Sequence, residues 1–202
     1  ISNHALTLAD VSGDVLPNYA RIIFDEAHNL EDVATEQLGS EVSNFSLRDL
    51  QRIFVGDGRA QGLTAALSLV AAATEKLAGL GPLAELIASR IAMMQEVGFE
   101  LGEAVIALCT ALAPEPNSGR ASVRLDSHSR MAPPWQAVVR AATRCRLLLQ
   151  ETAQMLGQAA ELVQQAGPEA ADAADLMLEA CAARTWVMER EAALGAVLTE
   201  ED

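Results

Sequence analysis

The stretch Arg21-Ile22-Ile23-Phe24-Asp25-Glu26-Ala27-His28-Asn29 decides how the first part of this chain is read. A short apolar run, Ile22-Ile23-Phe24, ends in two adjacent acids, and an Ala and a His follow. A fully apolar run of this kind is expected of a short strand buried on both faces, as in a parallel sheet. In open parallel sheets ligands bind at the C-terminal edge of the strands, and Asp25 ends the run there. That places Asp25 to reach Mg²⁺, with Glu26 able to contact the same ion through water and to take a proton from an attacking water. His28 falls on the turn beyond, where it would couple the phosphate state to neighbouring segments. Adjacent acids also open ordinary solvated helices. The order Asp-Glu-Ala-His directly after Ile-Ile-Phe is what favours a nucleotide site.

On either side the pattern is short and mixed. Residues 1–12 read as a helix, with Ala5, Leu6, Leu8, Ala9 and Val11 apolar, and Ser12-Gly13-Asp14 and Leu16-Pro17-Asn18 are turns. Asn29 is a candidate cap for a further helix to about Leu38. Glu31 and Asp32 in its first turn suit the helix dipole, and Gly39 stops it.

These flanks carry a resemblance. Ser2-Asn3-His4-Ala5-Leu6-Thr7-Leu8-Ala9-Asp10 is similar to the segment that precedes the DEAH box in DinG-like helicases. Leu16-Pro17 and then Ile22 through Ala34 resemble that family's box and onward helix. The specific match covers residues 2–38. The resemblance to the DinG/XPD branch implies an ATP-driven motor on single-stranded DNA, usually moving 5′ to 3′. Asp25 would be its Mg²⁺ contact, Glu26 its catalytic base and His28 its coupling residue. In that family a mostly helical insertion, the arch, follows the box. Some members hold an iron–sulfur cluster on four Cys upstream of the matching segment, and the present sequence leaves that open. It also departs from the family. No GxxxxGK[ST] occurs, so the phosphate-binding loop is missing, and so are a second motor domain and the later arginine motifs. The chain alone is therefore expected neither to hydrolyse ATP efficiently nor to unwind DNA. Asp-Glu-Ala-His also occurs in RNA helicases; the Asn3-His4-Ala5-Leu6 flank favours the DNA branch.

From Phe45 onward only helical periodicity remains. Ser46 and Asp49 form a near capping box for a helix to about Phe54, and Gly56-Asp57-Gly58 breaks it. Leu63, Leu67, Val70, Thr74 and Leu77 form one stripe; Leu83, Ile87, Ile91, Met94, Val97, Leu101, Ala104, Leu108 and Leu112 form the next. Gly98 and Gly102 inside it suggest close helix packing. Pro114 to Pro134 reads as a long irregular connection, in which residues 122–126 alternate like a strand. Two long helices follow, turning at Gly167-Pro168 and so antiparallel neighbours. Their stripes are Trp135, Val138, Ala142, Cys145, Leu149, Thr152, Leu156, Ala159 and Val163, then Ala171, Ala174, Leu178, Cys181, Thr185, Met188 and Ala192.

Composition narrows the partners. The 202 residues are 50% hydrophobic but only 3% aromatic, which favours helix over sheet, and the net charge is −14. So acidic a surface excludes a chain that is nucleic-acid-binding throughout, since phosphate contacts need Lys and Arg. The charge is uneven, however: residues 120–146 hold Arg120, Arg124, Arg130, Arg140, Arg144 and Arg146 against Asp126 alone. Arg120, Arg124 and Arg130 are the candidate DNA contacts; the competing reading is a solvated helix face paired with acids elsewhere. Trp135 at the start of the long helix reads as a core anchor rather than a base-stacking platform. Cys109, Cys145 and Cys181 lie far apart in apolar stripes, which argues against a metal or iron–sulfur site within this chain and for a reducing, cytoplasmic setting. No run of about 18 apolar residues is free of charges, so no membrane span is expected.

The expected architecture is mainly α. Residues 1–42 would be a short α/β remnant of a RecA-like motor domain carrying the box, and residues 43–202 a long-helix, arch-like bundle. The expected partners are ATP with Mg²⁺, single-stranded DNA and the remaining motor domains of one longer polypeptide. The alternative is a non-catalytic helical binding or scaffold module with a vestigial box. A strand at 21–25 without sheet neighbours is expected to be poorly ordered or paired with a second copy.

Overall fold

The computed structural model describes residues 6–8, 10, 21–30, 33–34, 44–56, 61–112, 125–167 and 173–199. The chain divides into two compact units, Ile1–Glu41 and Val42–Asp202.

In the first unit the described residues are helical at Leu6–Leu8, Asp10, Leu30 and Val33–Ala34, with a single 3₁₀ turn at Ala27–Asn29. Arg21–Phe24 is not a strand, and no strand occurs among the described residues. The described residues therefore do not show the expected α/β remnant. A strand exists through the ladder that fills its N–H and C=O groups, and no neighbouring strand occurs among the described residues to supply one. Ile23 stands 95% exposed and Ile22 44% exposed.

The second unit is a helical bundle: α1 Asn44–Phe54, α2 Leu63–Ala73, α3 Leu80–Leu112, α4 Ser127–Met131, α5 Trp135–Ala166 and α6 Ala174–Thr199. A 3₁₀ turn at Glu75–Leu77 links α2 to α3, and Pro82 sits in the first turn of α3, where its missing N–H costs nothing. At 33 and 32 residues, α3 and α5 run about 50 Å each. α3 and α6 both pack on α5, while α1 and α2 lie against α3.

The core follows the α3 and α5 stripes. Ile87, Ile91, Met94, Val97, Ala104 and Leu108 of α3 are buried, with Gly98 among them. Every residue of the α5 stripe, from Trp135 to Val163, is buried. The hydroxyl of Thr152, within that stripe, donates to the Leu148 carbonyl at 2.8 Å, so its burial strands no polar group. Burial pushes the Cys145 thiol up to about 11. By length and composition the Glu75–Leu112 segment is apolar enough to cross a membrane, but a core helix passes the same test. Here its apolar stripe packs on α5, while Glu85, Glu96, Glu100 and Glu103 are exposed.

α6 departs from its expected phase. Leu178, Cys181, Thr185, Met188 and Ala192 are exposed, and the buried face is Leu176, Ala180, Ala183, Val187 and Leu194. Both sets step by three and four, and the inner one meets α5. The connection before α5 also departs from expectation. Residues 113–124 lie outside the described residues, but Ser127–Met131 is a helix with a reciprocal cap. Asp126 Oδ1 accepts from the Ser129 N–H at 2.8 Å, and Ser129 Oγ accepts from the Asp126 N–H at 2.7 Å. The Ser129 N–H, with the neighbouring hydroxyl and His128, lowers the Asp126 carboxyl below its ordinary value.

The end of α1 and the start of α2 lie close together. Gly56 has φ 92°, a left-handed conformation that suits Gly, and pairs with Gln61 in an isolated antiparallel bridge. The Thr64 hydroxyl donates to the Phe54 carbonyl at 2.7 Å. A Cβ on Gly62 would lie 2.4 Å from the Phe54 carbonyl oxygen and 2.5 Å from the Gly56 nitrogen, so the backbones meet too closely for any side chain. Gly62→Ala is expected to destabilise the bundle by at least about 2 kcal/mol, because backbone rather than a flexible side chain must move. Urea unfolding followed by circular dichroism measures this, and Gly81→Ala serves as the tolerated control, its added Cβ meeting only Ala71 at 3.8 Å.

Candidate functional site

The box residues form one local turn. Asp25 Oδ1 accepts a hydrogen bond from the Glu26 N–H at 3.0 Å. Glu26 then takes φ 50° and ψ 45°, the left-handed region, and its carbonyl accepts from the Asn29 N–H at 3.0 Å. It is the one non-glycine residue with positive φ among the described residues. The Leu30 N–H continues the turn onto the Ala27 carbonyl. Asn29 is thus a member of the 3₁₀ turn, with Glu26 in that turn's own capping position, and Leu30, next in sequence, is helical.

The reversal at Glu26 brings its carboxylate back over His28. Glu26 Oε2 lies 3.3 Å from His28 Nδ1, and both side chains are about two-thirds or more exposed. Asp25, Glu26 and His28 are therefore gathered on a single open turn. No cluster of three or more metal-ligating side chains occurs among the described residues. Two adjacent carboxylates are nonetheless a fitting donor set for Mg²⁺, a hard ion that takes one or two protein carboxylates and completes its shell with water and phosphate. Asn3 and His4 lie outside the described residues.

The basic stretch resolves into several environments. Arg120 and Arg124 lie outside the described residues. The Arg130 guanidinium sits over the Trp135 ring, 5.4 Å from its centroid, and Trp135 is buried against Ala104, Leu108 and Val138. Trp135 is thus a core anchor. Arg144 pairs with Glu100 of α3. Arg146 donates twice to Glu191 Oε1 of α6, at 2.6 and 2.9 Å, and Gln150 donates to the same oxygen at 2.8 Å. With Arg90 and Glu151 these pairs tie both outer helices to α5. Two of the six arginines are therefore committed to the fold, and Arg140 stays exposed. The reading of the stretch as charges paired with acids elsewhere holds for Arg144 and Arg146.

Two features of this geometry were beyond sequence reasoning. Nothing in the residue order signals that Glu26, a non-glycine, adopts the left-handed region. The Arg146–Glu191 pair joins residues 45 apart, and only the antiparallel register of α5 and α6 brings them together.

Comparison with known proteins gives a partial match. The chain is 39% identical over 56 residues to the ATP-dependent DNA helicase YoaA of Haemophilus influenzae. The match covers 25% of this chain and 9% of that helicase, so the chain spans a small fraction of the relative's length. No family model and no solved structure matches the chain. The match supports a helicase-related fragment.

The ion pairs make an ordered prediction. Arg146→Ala leaves a half-buried Glu191 without its cation, held by Gln150 alone, and is expected to cost about 1–3 kcal/mol of stability. Arg144→Ala removes an exposed pair and is expected to cost less than about 1 kcal/mol. Urea unfolding of the two variants measures the difference, and the reverse order contradicts the assignment.

Proposed function

We propose that this chain is a fragment of an ATP-dependent DNA helicase of the DinG/XPD type. It would comprise the end of the first motor domain and an arch-like helical domain. In the full-length protein, working in the cytoplasm, Mg-ATP hydrolysis would drive movement on single-stranded DNA. The observation that carries this reading is the gathering of Asp25, Glu26 and His28 on one exposed turn, within a sequence that matches the family's box and flanks. The partial identity to a DNA helicase supports the same direction.

In this reading Asp25 holds Mg²⁺, with Glu26 reaching it through water. The ion, when bound, neutralises charge on the transferring phosphoryl group. Glu26 takes the proton of the attacking water. His28 lies 3.3 Å from the Glu26 carboxylate, and with its proton on Nδ1 it donates to that carboxylate and holds it in place. Displacing His28 would release Glu26, which gives a physical route for coupling the phosphate state to neighbouring segments. The phosphates themselves need a Lys and backbone cradle from elsewhere in the longer polypeptide. Arg130, with Arg120 and Arg124, is assigned to the DNA strand. A non-catalytic helical module is the second reading, favoured by the exposure of Ile22 and Ile23, since among the described residues no sheet presents the box.

The test is ATP hydrolysis by the full-length helicase, with and without single-stranded DNA, beside a Glu26→Gln variant. DNA-stimulated turnover that falls at least about 100-fold in the variant is expected of a lost general base. An intact, folded helicase with no turnover makes the box vestigial and selects the second reading.

A further inference from the structure

Arg130 and Met131 stand at a surface tip between α4 and α5 whose backbone is closed on both sides. The Asp126–Ser129 cap fixes α4 before it. After it, the Ala132 N–H donates to the Ser129 carbonyl at 3.2 Å and the Trp135 N–H to the Ala132 carbonyl at 3.0 Å. Pro133 and Pro134 fix two further φ angles between the helices. On this framed tip Met131 is 83% exposed, more than any other large apolar side chain described in the second unit. Beside it the Arg130 guanidinium turns one face to the Trp135 ring, and it has no ion pair among the described residues. Trp135 is buried and its ring is fixed, so it sets the plane of the guanidinium; Arg130 itself is only half-buried. The surroundings are cationic. From Ser127 to Gln150 the chain has four Arg and no acid. Arg144 and Arg146 are spent on Glu100 and Glu191, and the Asp126 carboxylate is engaged by the Ser129 N–H.

We propose that this tip grips single-stranded DNA by a base rather than by phosphate: one unpaired base stacks on the outer face of the Arg130 guanidinium, and Met131 packs against that base. A guanidinium is flat and weakly hydrated, so the face turned away from Trp135 suits an aromatic ring. A methionine thioether beside it makes favourable contacts with the same ring. Trp135 is a positioning residue here, since it orients Arg130 and does not reach the base. A polyanion such as a phosphate chain or an acidic peptide needs only positive charge. A planar cation held on a fixed ring next to an exposed apolar side chain is what a base adds to that requirement. In a duplex the base faces are stacked on one another, which leaves the single strand as the form that fits. The inference rests on the assignment of Arg130 to the DNA strand and specifies the contact that it makes.

The probes are a fluorescein-labelled oligothymidylate of about ten nucleotides and an abasic deoxyribose-phosphate strand of the same length, titrated with the whole chain at one ionic strength. Anisotropy should show the oligothymidylate bound at least about fivefold more tightly than the abasic strand. Arg130→Lys keeps the charge and loses the plane. It should remove most of that preference while leaving affinity for the abasic strand within about twofold. Met131→Ala should reduce the preference in the same way, again without changing abasic binding. Circular dichroism checks that both variants keep the helical content of the parent chain. Equal binding of the two strands, a preference that survives Arg130→Lys, or no binding of either strand each overturns the proposal. ATP takes no part, so the result is separate from the Glu26→Gln test. Base preference beside a box without turnover keeps the tip and removes the motor, and DNA-stimulated turnover without base preference removes the tip alone.

Discussion

The bundle depends on one continuous contact, the apolar stripe of α5 from Trp135 to Val163 held between α3 and α6. All nine of its stripe positions are buried. Each large aliphatic side chain buried there contributes about 1.5–3 kcal/mol, whereas an exposed ion pair contributes about 0–1 kcal/mol. The stripe thus decides that the three long helices associate. The pairs Arg90–Glu151, Arg144–Glu100 and Arg146–Glu191 at its edges fix the antiparallel registers. Two glycines work in the same sense. Arg184 of α6 lies over Gly157 of α5, and Arg146 of α5 lies over Gly195 of α6, so each helix offers a bare stretch of backbone to the other's guanidinium.

What could be read from the residues followed from how many faces each helix has. α3 and α5 each have one apolar stripe, wide enough to be found by spacing alone, and both stripes are the buried ones. α6 is rich in Ala on every side and has two seams, Leu176–Leu194 and Leu178–Met188, of similar spacing and apolarity. Periodicity cannot choose between them; α5 does, by covering the first. The close approach at Gly62 is invisible for a related reason. Its φ is an ordinary −78°, and the demand for glycine arises only when Phe54 and Val55 fold back against it. The cap at Asp126 was hidden because a Ser, rather than the commoner Glu or Gln, closes the box at its third position.

The same distinction separates the two halves of the box segment. A turn is closed by neighbours in sequence, so Asp25, Glu26 and His28 assemble from contacts one to three residues apart. A strand is closed by partners far away in the chain. Ile22-Ile23-Phe24 has the composition of a buried strand, yet composition supplies only one side of a ladder. The left-handed conformation at Glu26 costs roughly 1–2 kcal/mol for a residue with a Cβ. It is held by the bond from the Glu26 N–H to Asp25 and by the bond from the Asn29 N–H to the Glu26 carbonyl.

That turn bears on how the box would work in a sheet. Extended backbone continued through residue 26 would send successive side chains to opposite faces, separating Glu26 from Asp25. A left-handed residue at 26 ends any preceding strand at Asp25 instead. It folds the next carboxylate back toward the same edge and places His28 within 3.3 Å of it. The local turn and a strand at 22–24 are therefore compatible. The turn is what would convert a strand end into a site with two carboxylates and an imidazole on one side. The positive φ at Glu26, unusual for a residue that is neither Gly nor Asn, thus has a use in the proposed chemistry: it belongs to a locally closed turn that holds the Glu26 carboxylate beside the His28 imidazole.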